Sequence, residues 1–183
     1  MGDNPLSIQG AGKAKTGGSS TVIINQKFAL DFARASRSDR LKSLGELSAA
    51  QKETLAKLLL GNINDPKRST ADKSLLAFQE YSPNGNKIKL AIAAIKTLAE
   101  DSPKIVITAL GEAFKKPAST EHVKRDYVFV MEYLVQRKPA FKTEALAILT
   151  KFTEGKELNP YGAADQAQRL IDNLEGRPES PSD

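Results

Sequence analysis

The stretch IKLAIAAIKTLAEDSPKIVITALGEAFK (residues 88–115) decides the fold, because its apolar positions describe two helices joined by a short turn. A second stretch of the same pattern, KRDYVFVMEYLVQRKPAFKTEALAILTK (residues 124–151), follows after a shift of 36 residues. The matching positions are Ala91 with Tyr127, Ile92 with Val128, Ile95 with Met131, Leu98 with Leu134, Pro103 with Pro139 and Lys115 with Lys151. The sequence therefore predicts a repeated unit of two helices.

A weaker copy of this unit lies 37 residues upstream. Its matching positions are Leu55 with Ile92, Leu58 with Ile95 and Pro66 with Pro103. Over residues 48–155, the pattern resembles the α-solenoid proteins of the HEAT and armadillo kind. The resemblance implies an all-α fold of stacked antiparallel helix pairs, with a period of about 36 residues. A compact helical bundle with helices of similar length remains the alternative.

Helix signals continue on both sides of the repeat. Ser48 is the expected N-cap of one helix, with Gln51 as its capping-box partner, and Pro103 fits the first position of another. The two most apolar helices, 86–101 and 119–137, are expected at the centre of the fold. Helices are predicted over residues 25–36, 39–47, 48–61, 70–81, 86–101, 103–117, 119–137, 139–155 and 163–174.

The composition divides the chain of 183 residues into three parts. Residues 1–24 begin with a Gly-, Ser-, Thr- and Lys-rich stretch and are expected to form a flexible arm. Within this part, TVII (residues 21–24) is expected to pack as an apolar lead-in to the first helix. Residues 25–176 are expected to form a single all-α domain, and residues 177–183 a disordered tail.

The residues that catalysis and metal binding usually require are scarce. The sequence contains no cysteine and one histidine, His122, which stands in the first turn of a predicted helix. Cysteine-ligated zinc, disulfides and paired-histidine metal sites are therefore excluded. Acidic pairs such as Glu100-Asp101 lie at helix ends and are interpreted as solvated. We expect no enzyme activity, no metal, no cofactor and no small-molecule ligand.

Basic side chains give the one candidate site. The formal net charge is +5, and the repeat places Lys52, Lys89 and Arg125 at one equivalent position. In a solenoid, equivalent positions form a ridge along one face, which would suit an anionic partner. Two basic pairs, Lys115-Lys116 and Lys124-Arg125, also flank one predicted turn. The candidate residues for this ridge are Lys52, Lys89, Lys115, Lys116, Lys124 and Arg125.

The functional prediction is a non-catalytic helical module that binds another protein, as an adaptor or assembly component. Two alternatives stay open: a nucleic-acid-binding protein that uses the Lys/Arg ridge, and an exported bacterial effector or secretion-system component whose arm is the export signal. No apolar run is long enough to cross a bilayer. A cysteine-free sequence fits a reducing compartment, so a cytoplasmic location is expected.

Overall fold

The structure, a computed structural model, describes residues 22–64, 83–116, 120–159 and 162–177. The expected arm up to residue 21, the predicted helix 70–81 and the tail from residue 178 lie outside the described residues. The described residues form helices and no strand, as the sequence predicts. The helices are α1 (Gln26–Arg34), α2 (Arg37–Gly45), α3 (Ala49–Ile63), α4 (Pro83–Asp101), α5 (Pro103–Phe114), α6 (Glu121–Arg137), α7 (Lys142–Thr153) and α8 (Ala163–Glu175).

Helix boundaries follow local capping chemistry. Ser48 and Gln51 form a capping box at the start of α3, with the Ser48 amide donating to Gln51 Oε1 at 2.7 Å. Pro103 occupies the first turn of α5, as predicted, and Thr120 caps α6. Most boundaries differ from the prediction by one to three residues, and at the start of α7 the local cause is visible. The chain forms a 3-10 turn over Pro139–Phe141 before α7 begins, so α7 is shorter than residues 139–155.

The helices from α3 onward pack in two layers. Lys52 near the start of α3 pairs with Asp101 at the end of α4, so α3 and α4 run antiparallel. Contacts between the starts and between the ends of α5 and α7 show that these two helices run parallel. These contacts are Lys104 with Glu144, and Phe114 with Phe152. We call α3, α5 and α7 the groove layer, and α4, α6 and α8 the second layer.

Parallel neighbours within a layer reproduce the spacing seen in the sequence. Gly111 of α5 faces Ile148 of α7, and Lys96 of α4 lies over the ring of Tyr133 of α6. Both pairs are 37 residues apart. The upstream copy is different, because α3 runs alongside α5 rather than taking the place of α4. Tyr127 of α6 contacts the ends of both of these helices. Its ring packs against Phe114 at the end of α5, and its hydroxyl donates a hydrogen bond to the Leu60 carbonyl near the end of α3.

The core lies between the two layers. Both helices expected at the centre contribute to it, α4 through Ile95 and Leu98 and α6 through Met131 and Leu134, all four with no exposed surface. Helices α1 and α2 cover one side of the stack, where they contact α3 and α4. Val22 and Ile24 pack against the core, which confirms the expected apolar lead-in for these two residues.

Candidate binding surface

The structure does not bring the six predicted cations into one ridge. Lys52 lies at the opposite end of the stack from Lys116, because α3 is antiparallel to α4 and the repeat register there is different. Lys89 and Arg125 lie on α4 and α6 in the second layer, where Arg125 Nε donates to Gln166 of α8 at 3.4 Å. The proposed equivalence of Lys52 with these two residues is therefore absent from the fold.

The other three candidates, Lys115, Lys116 and Lys124, lie together at one end of the stack, Lys115 and Lys116 at the end of α5 and Lys124 near the start of α6. This is the end where α5 and α7 finish and α6 begins. Lys151 and Lys156, which were not among the sequence candidates, join them there and line the same groove as Lys115. We call this region, defined by Lys115, Lys116, Lys124, Lys151 and Lys156, the lysine end.

Two grooves run along the groove layer, one on each side of α5. The α5–α7 groove has a volume of about 590 Å³, and its floor is apolar, with Phe114, Ile148 and Phe152. Gly111 allows this close packing, since a Cβ atom at this position would lie 3.2 Å from Ile148 Cδ1. The charged residues of its rim are Glu112, Lys115, Glu144, Lys151, Glu154 and Lys156.

The α3–α5 groove has a volume of about 470 Å³. Leu60, Ile105, Ala109 and Tyr127 contribute apolar surface to it. Its charged residues are Glu53, Lys57, Lys104, Glu112 and Lys116. The two grooves therefore share Glu112 and combine apolar surface with mixed charge.

An aromatic cluster supports the lysine end from below. Phe152 packs against Phe114 with ring centroids 4.7 Å apart, and Phe114 meets the ring of Tyr127 edge-on at 5.8 Å. Two ammonium groups lie over the Phe152 ring, Lys156 at 3.3 Å and Lys124 at 5.8 Å from its centroid. Partial burial lowers the pKa of Lys156, and the charge of Lys124 lowers it further.

Glu112 of α5 pairs with one lysine of this end and lies within the field of another. Lys115 Nζ donates to Glu112 Oε1 at 2.6 Å, and this bond holds the pKa of Glu112 below its usual value. The charges of Lys116 and Lys57 act in the same direction. Three lysines, Lys57, Lys115 and Lys116, therefore surround one carboxylate, and their combined positive charge is larger than its negative charge.

A second charged cluster lies at the opposite end of the stack. Glu100 of α4 accepts hydrogen bonds from Arg37 of α2 and Tyr133 of α6. Partial burial raises the pKa of Glu100, but these two hydrogen bonds outweigh burial and hold the pKa below its usual value. Lys52 Nζ donates to Asp101 at 2.7 Å. The interpretation of Glu100-Asp101 as a solvated pair is therefore wrong, because each carboxylate is hydrogen-bonded to a side chain of another helix. We interpret this cluster as a set of contacts that stabilises the packing of the helices.

Low pH should weaken these contacts between helices. Burial raises the pKa of Asp101, but hydrogen bonds from Lys52 and Ser102 outweigh it, so the pKa lies below the usual 3.8. A carboxyl group with a lowered pKa stabilises the fold at pH values above its usual pKa. This contribution to stability is lost as the pH falls through the lowered pKa. Asp101→Asn should be less stable than the wild type at neutral pH, and the difference should shrink in acid. Urea denaturation across a pH series measures it, with exposed Glu157→Gln as a control that stays near the wild type throughout.

Lys151, which is not among the predicted site residues, could have been predicted from the sequence. The 36-residue shift aligns Lys115 with Lys151, and α5 and α7 indeed place these two lysines along one groove. The repeat alignment gives no comparable indication for Lys57, Lys104 or Lys156. Their roles depend on which helices pack side by side, and composition and spacing do not specify this.

Comparison of the chain with protein-family models, with curated proteins and with solved structures gives no match. In the part of the chain that the structure describes, no helix is both long and apolar enough to cross a membrane. The same residues hold no group of three His, Asp or Glu side chains placed to share a metal ion. The fold and surface define an all-helical protein with two neighbouring grooves on one layer of helices.

Proposed function

We propose that this chain is a non-catalytic adaptor module of stacked helix pairs, which binds another protein through its groove layer. The observation that carries the proposal is the pair of grooves beside α5, because each combines an apolar floor with charged residues at its rim. Peptide segments dock in such grooves by burying apolar side chains while polar groups fix their position. We place this interaction in the cytoplasm, in keeping with the cysteine-free sequence.

Mixed charge favours a protein over a nucleic acid as the partner. Lys104 pairs with Glu144 at 2.8 Å and Lys115 with Glu112 at 2.6 Å, so carboxylates interrupt the positive surface. A nucleic-acid backbone would meet these carboxylates, and single strands usually also stack on exposed aromatic rings. Phe129 is exposed, but it lies on α6 and lines neither groove.

Affinity capture from native lysate tests the proposal, with the full chain as bait and with or without nuclease. Two tryptophans fill the grooves, Gly61→Trp in the α3–α5 groove and Ala147→Trp in the α5–α7 groove. A Cβ atom at Gly61 meets nothing within 4 Å, and Ala147 is exposed, so both variants should fold. Exposed Ala93 of the second layer gives the matched control, Ala93→Trp.

We expect the wild-type chain to capture a partner protein that stays bound after nuclease treatment. The Ala93→Trp control should capture the same protein, and the variant with both grooves filled should not. Circular dichroism and melting temperature confirm that the variants fold. Capture that disappears with nuclease would instead support the nucleic-acid alternative. Capture that survives filling of both grooves would place the binding surface elsewhere.

A further inference from the structure

The α5–α7 groove has the dimensions of a short helix. Helix α5, which forms one wall, contains 12 residues. At about 1.5 Å per residue this wall is about 18 Å long, which corresponds to roughly three turns of a docked helix. The floor presents Ile148 between the two walls and the Phe114–Phe152 pair towards the lysine end. A ligand helix with one apolar stripe would match this surface.

Charge is distributed unevenly along this groove. Near the start of α7, Glu144 is neutralised by Lys104, whose Nζ lies 2.8 Å from its carboxylate. At the lysine end, Lys115 pairs with Glu112, and Glu154 lies on the same rim. Lys124, Lys151 and Lys156 form no ion pair with a carboxylate of the described residues. One end of the groove is therefore compensated, and the other carries more lysines than carboxylates.

The helix C-termini explain part of the clustering of lysines at this end. Helices α5 and α7 both finish at this end, and cations near a helix C-terminus interact favourably with its carbonyl groups. That interaction does not require two ammonium groups over one ring. Lys124 and Lys156 both lie over the Phe152 ring, and burial together with the charge of Lys124 lowers the pKa of Lys156, although the charge of Glu121 acts in the opposite direction. A carboxylate brought to this end would relieve the repulsion between the two lysines.

We propose that the α5–α7 groove binds an acidic amphipathic helix of a partner protein. Its apolar stripe lies on Ile148, Phe114 and Phe152, and its carboxylates, grouped at one end, meet Lys151 and Lys156. This inference rests on the proposed function and specifies the partner and the groove. A second copy of the chain is a poor occupant. Of the four exposed large apolar residues that the structure describes, Leu90 and Phe129 stand beside Lys89 and Arg125, which carry the same charge as the lysine end, and Ile23 and Leu158 lie outside the helices.

The neighbouring α3–α5 groove fits this ligand less well. Of its three lysines, Lys104 pairs with Glu144, while Lys57 and Lys116 lie in the field of Glu112. The lysines of this groove are therefore spread along its length on two helices rather than grouped at one end. Filling each groove separately distinguishes the two sites.

Selection of ligands from an mRNA-displayed library tests the proposal, with the full chain as bait and random peptides of about 16 residues, slightly longer than the groove wall. Enriched peptides should carry apolar residues at helical spacing and a group of Asp or Glu at one end. Fluorescence anisotropy with an enriched peptide then gives affinities for the variants. Lys151→Glu with Lys156→Glu should weaken binding at least about tenfold. Ala147→Trp should abolish it, while Gly61→Trp should leave it within about twofold.

A charge-matched control is Lys42→Glu with Lys142→Glu, which reverses two exposed lysines that line neither groove and should leave binding unchanged. Peptides that bind but are blocked by Gly61→Trp would overturn the choice of groove and leave the proposed function intact. Peptides without an acidic group, or no enriched peptide, would overturn the choice of ligand. If capture from lysate also depends on nucleic acid, the proposed function itself fails.

Discussion

Met131→Lys should lower the free energy of unfolding by about 3–5 kcal/mol, because it places an unpaired charge in the centre of the core. Met131 has no exposed surface and lies on α6, among apolar neighbours from both layers. A loss of this size approaches the whole stability of many domains. We therefore expect a protein that is largely unfolded, or that unfolds at much lower urea concentration, as measured by circular dichroism.

The control is Met131→Leu, which keeps an apolar side chain of similar volume and should cost less than about 1.5 kcal/mol. A soluble Met131→Lys variant with wild-type stability would contradict the burial of the Met131 side chain between the layers. It would also remove the basis for the two grooves, since both depend on helices that pack against α6.

Phe152→Ala should cost about 3–5 kcal/mol in unfolding free energy, because it removes a large side chain from a packed aromatic cluster. Phe152 is 6% exposed and contacts the ring of Phe114, while Lys124 and Lys156 lie over its face. The substitution leaves a cavity below the lysine end and withdraws the surface on which both ammonium groups rest. Urea denaturation measures the stability.

Phe129→Ala is the matched control, as it removes the same side chain from a position that is 44% exposed. Its effect on stability should stay within about 0.5 kcal/mol. Equal losses from the two substitutions would contradict the burial of Phe152 at the end of α7.

The candidate site was only partly predictable. Lys115, Lys116 and Lys124 were identified because they flank one turn of the sequence, and the structure keeps them at one end. Lys52 was assigned to them through the upstream copy, but its ion pair with Asp101 places it at the far end. A repeat register built on a few leucines has no information on helix direction, because a helix presents the same apolar spacing whichever way it runs.

Local patterns in the sequence were enough to predict the all-α class, the capping of α3 by Ser48 and Gln51, the start of α5 at Pro103 and the burial of Met131. These features depend on residues near one another in the chain, through capping bonds, proline geometry and the 3.6-residue period. Three other features emerge from the packing of the helices: α3 lies alongside α5, grooves form on both sides of α5, and Lys156 and Lys124 both lie over the Phe152 ring. Such contacts join residues far apart in the chain, and the packing of whole helix faces, rather than any local pattern, selects them.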